Sequence, residues 1–528
     1  MHSSFSESPV TMTTHTDQNR GTEPPKIPYV LLGGPARDTW LSAAVICLMF
    51  ATMLALFAFP VKRIFANVEI NYNEGWNAYK AAMVASGIRL YGSPPNSITG
   101  AVYTPISFHL IAWLGTTTTF PVVGRSISLI ALILTGVLVS LIVRCGGGSR
   151  QAAVFSFLLY EIGIALLRAD RIGMNDPQLL AEALSAAGLY FYVRNPDSKR
   201  LLCVAALLFC LSGFTKQTSI AFPVAISIEL LLRSRKRFAI FVGAMLLAAG
   251  LLTAMTLLVD GRYLALHLTS SRAYSYRLAW SNFHHYVLIF QSLLVIATAW
   301  SIYSFRSRTV FAAAFLLSHG LAFLFGGGDG VDLNIFFNAF AVTVIICGLA
   351  LSDIGSALET ARPGALNAAA GMMFGLFFIS IMIFVPGQLR RDRQEIRALR
   401  AHETEFQSAV EFVRTRPGPA LCESLLLCYE AGKPFEYEPF TAHDQVKTGR
   451  LPEADVLQLI RTRHFQTVQV ALRSDEADLR ESELRASLSS DQTLPDTERR
   501  FTPRFMNELL EDYRLSMRTP QMALFSPK

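Results

Sequence analysis

Of the 528 residues, 52% are hydrophobic and only 16% are charged, a balance too apolar for a water-soluble chain of this length and one that predicts a membrane bundle. The formal net charge is +7. The Lys and Arg fall in short clusters between apolar runs and form no stripe interleaved with aromatics, which argues against a nucleic-acid partner.

In chain order, residues 1–38 are rich in Ser, Thr and Pro and hold no apolar core of a signal peptide, so they read as a disordered cytoplasmic tail. Residues 39–386 read as an all-α polytopic bundle. Apolar runs span Trp40–Val61, Val122–Val143, Ala152–Leu167, Leu179–Val193, Leu201–Phe214, Ile220–Leu232, Phe238–Val259, Val287–Phe305, Val310–Phe325, Ile335–Leu351 and Ala368–Val385. That is about eleven helices, several of them short for a bilayer core of ~30 Å. Cys47, Cys203, Cys210 and Cys347 lie within these runs, without metal-ligand spacing, and read as small buried hydrophobes.

With the N-terminus inside, the inner loops carry Arg144/Arg150, Arg194/Lys199/Arg200, Arg233/Arg235/Lys236/Arg237, Arg306/Arg308 and Arg362, as the positive-inside rule requires. The outer loops then hold Glu69, Glu74, Asp170, Asp176, Asp260, Asp329 and Asp332. A helix across Val102–Gly115 would invert every later loop. That segment is therefore laid along the outer interface within the first periplasmic loop, 62–121, with Tyr103 and Trp113 as anchors; a second span is the alternative. Beyond it, residues 387–528 read as a soluble α/β domain on the outer side, with a charged helical stretch and the strand candidate "FQTVQVAL". Its Cys422 and Cys428 are either a disulfide of an oxidising compartment or two free thiols.

The polar stretch "EINYNEGWNAYKA", Glu69–Ala81, follows the first apolar run. Glu74, with Tyr72, Trp76 and Tyr79 around it, reads as a base able to take a proton from a hydroxyl. The plainer reading makes it a surface cap or ion-pair member.

The segment "YNEGWNAYKAAMVASGIRLYGSPPNSITGAVYTPISFHLIAWLG" resembles the first periplasmic loop of the GT-C fold glycosyltransferases, the group that includes the lipid A aminoarabinose transferase and the protein O-mannosyltransferases. The pattern is Asn73-Glu74, Tyr79, Leu90-Tyr91 and Tyr103-Thr104-Pro105. The resemblance implies a bacterial inner-membrane enzyme. It would move a sugar from a polyprenyl-phosphate donor to a glycan, lipid or protein acceptor, with inversion, on the periplasmic face, without a soluble cofactor. The family usually has Asp-Glu where this chain has Asn73-Glu74. Glu74 then remains the base, a metal role for the pair is in doubt, and Glu69 is the residue to supply the missing charge.

Further along, "LLRADRIGMNDPQLLAEAL" offers Asp170 or Asp176 to orient the acceptor or a divalent cation, and Arg168 and Arg171 to meet the donor phosphate. Asp176 before Pro177 also reads as a helix cap. "GFTKQTSIAFP" sets Lys216 either to neutralise a leaving phosphate or to snorkel. "HLTSSRAYSYRLAWSNFHH" adds Arg272 with aromatics, and "FGGGDGVDLNIFFNAF" adds Asn334, Asp329 and Asp332; the latter lacks the Lys-Ser/Thr of a P-loop. Two other classes compete: a transporter or flippase of lipid-linked sugars, which would show repeats and charges at the bilayer midplane, and a glycan-binding structural protein.

Overall fold

The computed structural model describes residues 36–94, 99–100, 103–269, 272–361, 379–489 and 500–528. Residues 1–35 of the expected tail, the expected inner-loop residue Arg362, and 368–378 of the expected helix at Ala368–Val385 lie outside them.

Helix α1 (Ala36–Arg63) ends on Lys62 and Arg63, where cations meet the negative end of the helix dipole. Two short helices follow, α2 (Asn73–Ala85) and α3 (Ile106–Leu114). The nine residues of α3 rise only about 14 Å at 1.5 Å each, too little to cross a bilayer. Next come α4 (Phe120–Cys145), α5 (Arg150–Arg168), α6 (Gln178–Arg194), α7 (Lys199–Gly213) and α8 (Ala221–Arg233). The run closes with α9 (Arg235–Val259), α10 (Leu264–Leu268), α11 (Tyr276–Tyr303), α12 (Thr309–Phe325) and α13 (Phe337–Ala361). Ser149, Ser198, Ser234 and Ser275 stand before α5, α7, α9 and α11, and each side chain accepts the free N–H of the residue three further on.

Every apolar run up to Leu351 therefore falls on a helix. The count of about eleven spans is matched only in part. Six helices among the described residues are long and apolar enough to cross a membrane: 43–63, 120–145, 150–171, 235–259, 276–303 and 333–356. The runs on α6, α7, α8 and α12 are helices of 17, 15, 13 and 17 residues. Their apolar faces close one core around Leu132, Leu158, Leu189, Phe222, Phe290 and Phe340. Phe290 and Phe340 stack at 4.3 Å. Gly163 makes room for Phe340: a Cβ there would sit 2.0 Å from its ring. By contrast α9 turns Leu246, Leu247 and Leu258 outward, an apolar face suited to lipid.

From the bundle, α14 (Val385–Arg414) runs back along α1. After it come β1 (Ala420–Cys422), α15 (Leu425–Glu430), α16 (Pro439–Lys447), α17 (Glu453–Arg461), β2 (Thr467–Ala471), α18 (Glu481–Ser489), α19 (Pro503–Asp512), β3 (Tyr513–Arg518) and β4 (Met522–Pro527). The expected strand in "FQTVQVAL" is β2. The sheet order is β1-β2-β4-β3, with β1 parallel to β2 and the other pairs antiparallel. Of the two readings of Cys422 and Cys428 the structure has the bonded one, with Cα atoms 5.8 Å apart.

Candidate active site

Two arginines tie the segment after α1 to the bundle. Arg63 Nη2 donates to the carbonyls of Ala169 and Asp170 at 2.7 Å and of Ile172 at 3.0 Å. Arg125, on α4 and 1% exposed, donates to the carbonyls of Ile64, Ala66 and Val68 at 3.2, 2.7 and 2.6 Å. Its remaining donors grip Glu74, Nε to Oε1 at 2.8 Å and Nη2 to Oε2 at 2.7 Å. Glu74 also accepts from the N–H of Ile70 at 2.8 Å and of Asn175 at 3.0 Å.

That geometry corrects the expectation of Glu74 as a base. The carboxylate is fully buried, four donors occupy it, and it does not line the cavity beside it. A general base must come within about 3 Å of the proton it takes. Glu69 and Tyr79 are likewise drawn away from the role expected of them. Glu69 accepts from the Ser424 hydroxyl and from the Leu426 N–H, the latter at 3.2 Å. Burial raises its carboxyl to about 7, against the pull of those two bonds. Tyr79 donates to the Lys433 carbonyl at 2.8 Å and stacks on Phe435 at 4.7 Å. Both residues seat the C-terminal segment on α2.

The cavity lies beside this staple, at one end of the bundle, with a volume of about 290 Å³. Loops and helix ends from distant parts of the chain supply its walls. Arg171 comes from the turn after α5, Lys216 from the turn between α7 and α8, Arg272 from the segment after α10, and Asn334 from the turn before α13. Asn73 opens α2, and Tyr103 precedes α3, its ring set edge-on against Trp76 at 5.3 Å. These six sequence-predicted residues meet there. Arg168 and Asp170 do not border the cavity; they pair with each other at 2.5 Å, and Arg168 also meets Asp332.

Asp176 sits just behind the wall and ties it together. Its carboxylate meets Arg171 at 3.4 Å, Asn73 at 3.5 Å, Lys216 at 3.7 Å and the Gln178 N–H at 2.8 Å. Burial would raise its carboxyl, but Lys216 and Arg171 hold it below the usual carboxylate value, so it is ionised. Asp176 is not the cap of α6: Pro177 holds that position without a side-chain cap bond, and Asp176, one residue earlier, accepts the Gln178 N–H in a two-residue turn. Burial lowers Lys216 from the ordinary lysine range and Asp176 works against this, with Arg171 and Arg272 adding to the lowering. Lys216 also lies over the Tyr103 ring at 5.1 Å, and Tyr103 is itself pushed up to about 12, chiefly by burial.

Three cations, Arg171, Lys216 and Arg272, thus face the cavity, and no described residue lining it is acidic. The other side is apolar: Leu268, Leu324, Phe325, Val331 and Ile335. An anionic head with a greasy tail fits this division. A divalent cation does not. Among the described residues no three His, Cys, Asp or Glu side chains are grouped so as to hold a metal ion, and the one carboxylate meeting Asn73 already faces two cations.

No family model matches the chain, and no curated protein does. Solved structures do. ArnT from Cupriavidus metallidurans in the apo state superposes with a TM-score of 0.55 at 13% identity, over 93% of this chain and 98% of that one. The same protein bound to undecaprenyl phosphate gives 0.52 at 12% identity over the same shares. The Archaeoglobus fulgidus oligosaccharyltransferase tethered with an acceptor peptide gives 0.51 at 13% identity, over 82% of this chain and 69% of that one. This is the GT-C fold.

Within the GT-C fold of this chain, several lining residues escaped sequence reasoning. Gln178, Gln217, Thr218, His267 and Tyr274 border the cavity. Each stands within the stretches that supplied Asp176, Lys216 and Arg272, so proximity to a flagged cation was the available signal. Arg125 had a clearer one, a charge inside the apolar run Val122–Val143, which is rare and costly in a membrane segment.

Proposed function

We propose that the chain is an integral membrane glycosyltransferase that moves a sugar from a polyprenyl-phosphate donor to an acceptor hydroxyl, inverting the anomeric centre. The observation that carries this reading is the acid-free cavity with Arg171, Lys216 and Arg272 on one side and an apolar wall on the other. Undecaprenyl phosphate, which ArnT binds, has the matching chemistry. The oligosaccharyltransferase, tethered with an acceptor peptide, supports a second substrate that accepts the sugar.

In the proposed reaction the acceptor oxygen attacks the anomeric carbon, and the bond to the phosphate oxygen breaks. The polyprenyl phosphate leaves with the electron pair, its new charge met by the two guanidiniums and the ammonium. The hydroxyl proton passes to Asp176, just behind the cavity wall, whose long contacts to Asn73 at 3.5 Å and Lys216 at 3.7 Å leave it able to take a closer partner, unlike the clamped Glu74. The low proton affinity of Asp176 suits a late transfer, when the anomeric carbon already carries positive charge and the attacking hydroxyl has become acidic. The polarity of the loops supports a bacterial inner-membrane protein with its N-terminus in the cytoplasm and its 387–528 domain in the periplasm. The Cys422–Cys428 bond supports that placement, since structural disulfides persist in oxidising compartments.

The test is mass spectrometry of envelope glycolipids and polysaccharides from a deletion strain complemented with wild type or with Asp176→Asn at matched membrane levels. A sugar lost on deletion, restored by wild type and not by Asp176→Asn, is the expected result. Full restoration by Asp176→Asn would remove Asp176 as the proton acceptor. No change on deletion would remove the transferase reading itself.

A further inference from the structure

One hydrogen-bond acceptor at the cavity wall has no part in the reaction above. Gln178 opens α6, borders the cavity and is 3% exposed. Its Nε2 donates to Glu182 Oε1 at 2.6 Å, one helical turn on. Glu182, 1% exposed, is held in turn by Asn338 Nδ2 at 3.1 Å. The one oxygen Glu182 Oε1 takes both the Gln178 and the Asn338 amide nitrogens, so it serves as an acceptor, and the pairing sets the Gln178 amide with its nitrogen towards Glu182 and its oxygen away from it. The oxygen, Gln178 Oε1, is buried and meets no hydrogen-bond donor among the described residues. An unmet buried acceptor is costly and calls for an explanation. At a cavity wall, a ligand that brings its own donor supplies one.

The chemistry of that donor follows from position. Asp176 Oδ1 accepts the Gln178 N–H and meets Lys216, so the amide stands next to the cation that would hold the phosphate. A phosphate oxygen cannot satisfy Gln178 Oε1, because both are acceptors. The next group along a glycosyl phosphate is the sugar ring, whose hydroxyls donate. The bond from Nε2 to Glu182 Oε1 also polarises the amide and strengthens its oxygen as an acceptor.

We propose that Gln178 reads the sugar of the donor, accepting a hydrogen bond from a ring hydroxyl or amino group, and that Glu182 is the residue that positions it. This rests on the phosphate role given above to Arg171, Lys216 and Arg272. The site therefore selects a glycosyl phosphate over the bare lipid phosphate, and among sugars it selects those with a donor at the position facing Gln178.

The test uses the full chain in nanodiscs and measures dissociation constants for undecaprenyl phosphate and for its glucosyl, mannosyl and aminoarabinosyl esters. Wild type is expected to bind at least one ester about tenfold or more tightly than the bare phosphate, as sites built to pair a ligand hydroxyl do. In Gln178→Leu and Gln178→Asn that ratio falls towards one. Glu182→Gln, whose side-chain oxygen still accepts from Gln178, keeps the ratio, whereas Glu182→Leu, which frees the amide to turn, loses it. A ratio that survives Gln178→Leu overturns the proposal, as does a wild type that binds every ester no better than the bare phosphate. Should Gln178→Leu not fold, the contrast between the two Glu182 variants decides in the same way. If wild type binds none of these lipids, the failure lies instead with the polyprenyl-phosphate reading.

Discussion

Replacing Glu74 by Gln separates a structural carboxylate from a catalytic one. In the native site Oε2 accepts from Arg125 Nη2 and the Ile70 N–H, and Oε1 from Arg125 Nε and the Asn175 N–H. An amide has one oxygen, so whichever way it turns, its NH₂ faces two of those N–H donors. Arg125, 1% exposed, becomes a buried charge with no counter-ion. Breaking one side of such a pair costs about 3–5 kcal/mol. At about 2 °C per kcal/mol for a large chain, the melting temperature should fall by roughly 6–10 °C. The assay is thermal unfolding in detergent, followed by tryptophan fluorescence, of wild type, Glu74→Gln, Arg125→Met and the pair Glu74→Leu with Arg125→Met. The double variant should lose less than the sum of its singles, since removing both charges leaves neither unpaired. It should stay below wild type, because the carbonyls of Ile64, Ala66 and Val68 lose their donor. A Glu74→Gln protein that melts as wild type does, yet transfers no sugar, would refute the structural role and return Glu74 to the chemistry.

Gly75→Ala should disable the protein through packing alone. A Cβ at Gly75 would lie 2.1 Å from the Leu426 nitrogen, and backbone held inside the Cys422–Cys428 loop cannot yield as a side chain would. A loss of about 1–3 kcal/mol or more is expected in the same melt. The pH dependence of that melt should carry the mark of Glu69. Its folded carboxyl titrates near 7 against an ordinary 4.5, so between those values the folded state keeps a proton that the unfolded state has lost. Stability then falls as pH rises through that window, by at most about 1.4 kcal/mol per unit for one proton, and Glu69→Gln should flatten the slope. Reduction, or Cys422→Ser with Cys428→Ser, should cost about 2–3 kcal/mol from the short loop it opens. Hydrogen exchange should rise at residues 69–76, which rest on Leu425 and Leu426; unchanged exchange there would show that the disulfide does not support the first loop.

How much of this was legible beforehand follows from the range of each interaction. Hydropathy is a local property, so the apolar runs up to Leu351 were readable as helices, and the strand in "FQTVQVAL" as a strand. The cations of the site were readable too, because Arg171 and Lys216 stand beside apolar runs and Arg272 stands among aromatics in the outer loop between two of them. The fate of Glu74 was not. Whether a carboxylate is a free base or the clamped half of an ion pair depends on Arg125, 51 positions away, and no local pattern reports that meeting. The same holds for Glu69 and Ser424, 355 positions apart, and for Gly75, whose missing Cβ is explained only by the backbone of Leu425–Leu426. By itself the sequence determined that the chain is an apolar helical bundle followed by a polar C-terminal part, and which side chains were available for anion chemistry. The tertiary structure alone decided which of them face the cavity. Burial and pairing are set by the convergence of distant segments, and they turn one acidic residue into a staple and leave another just behind the cavity wall.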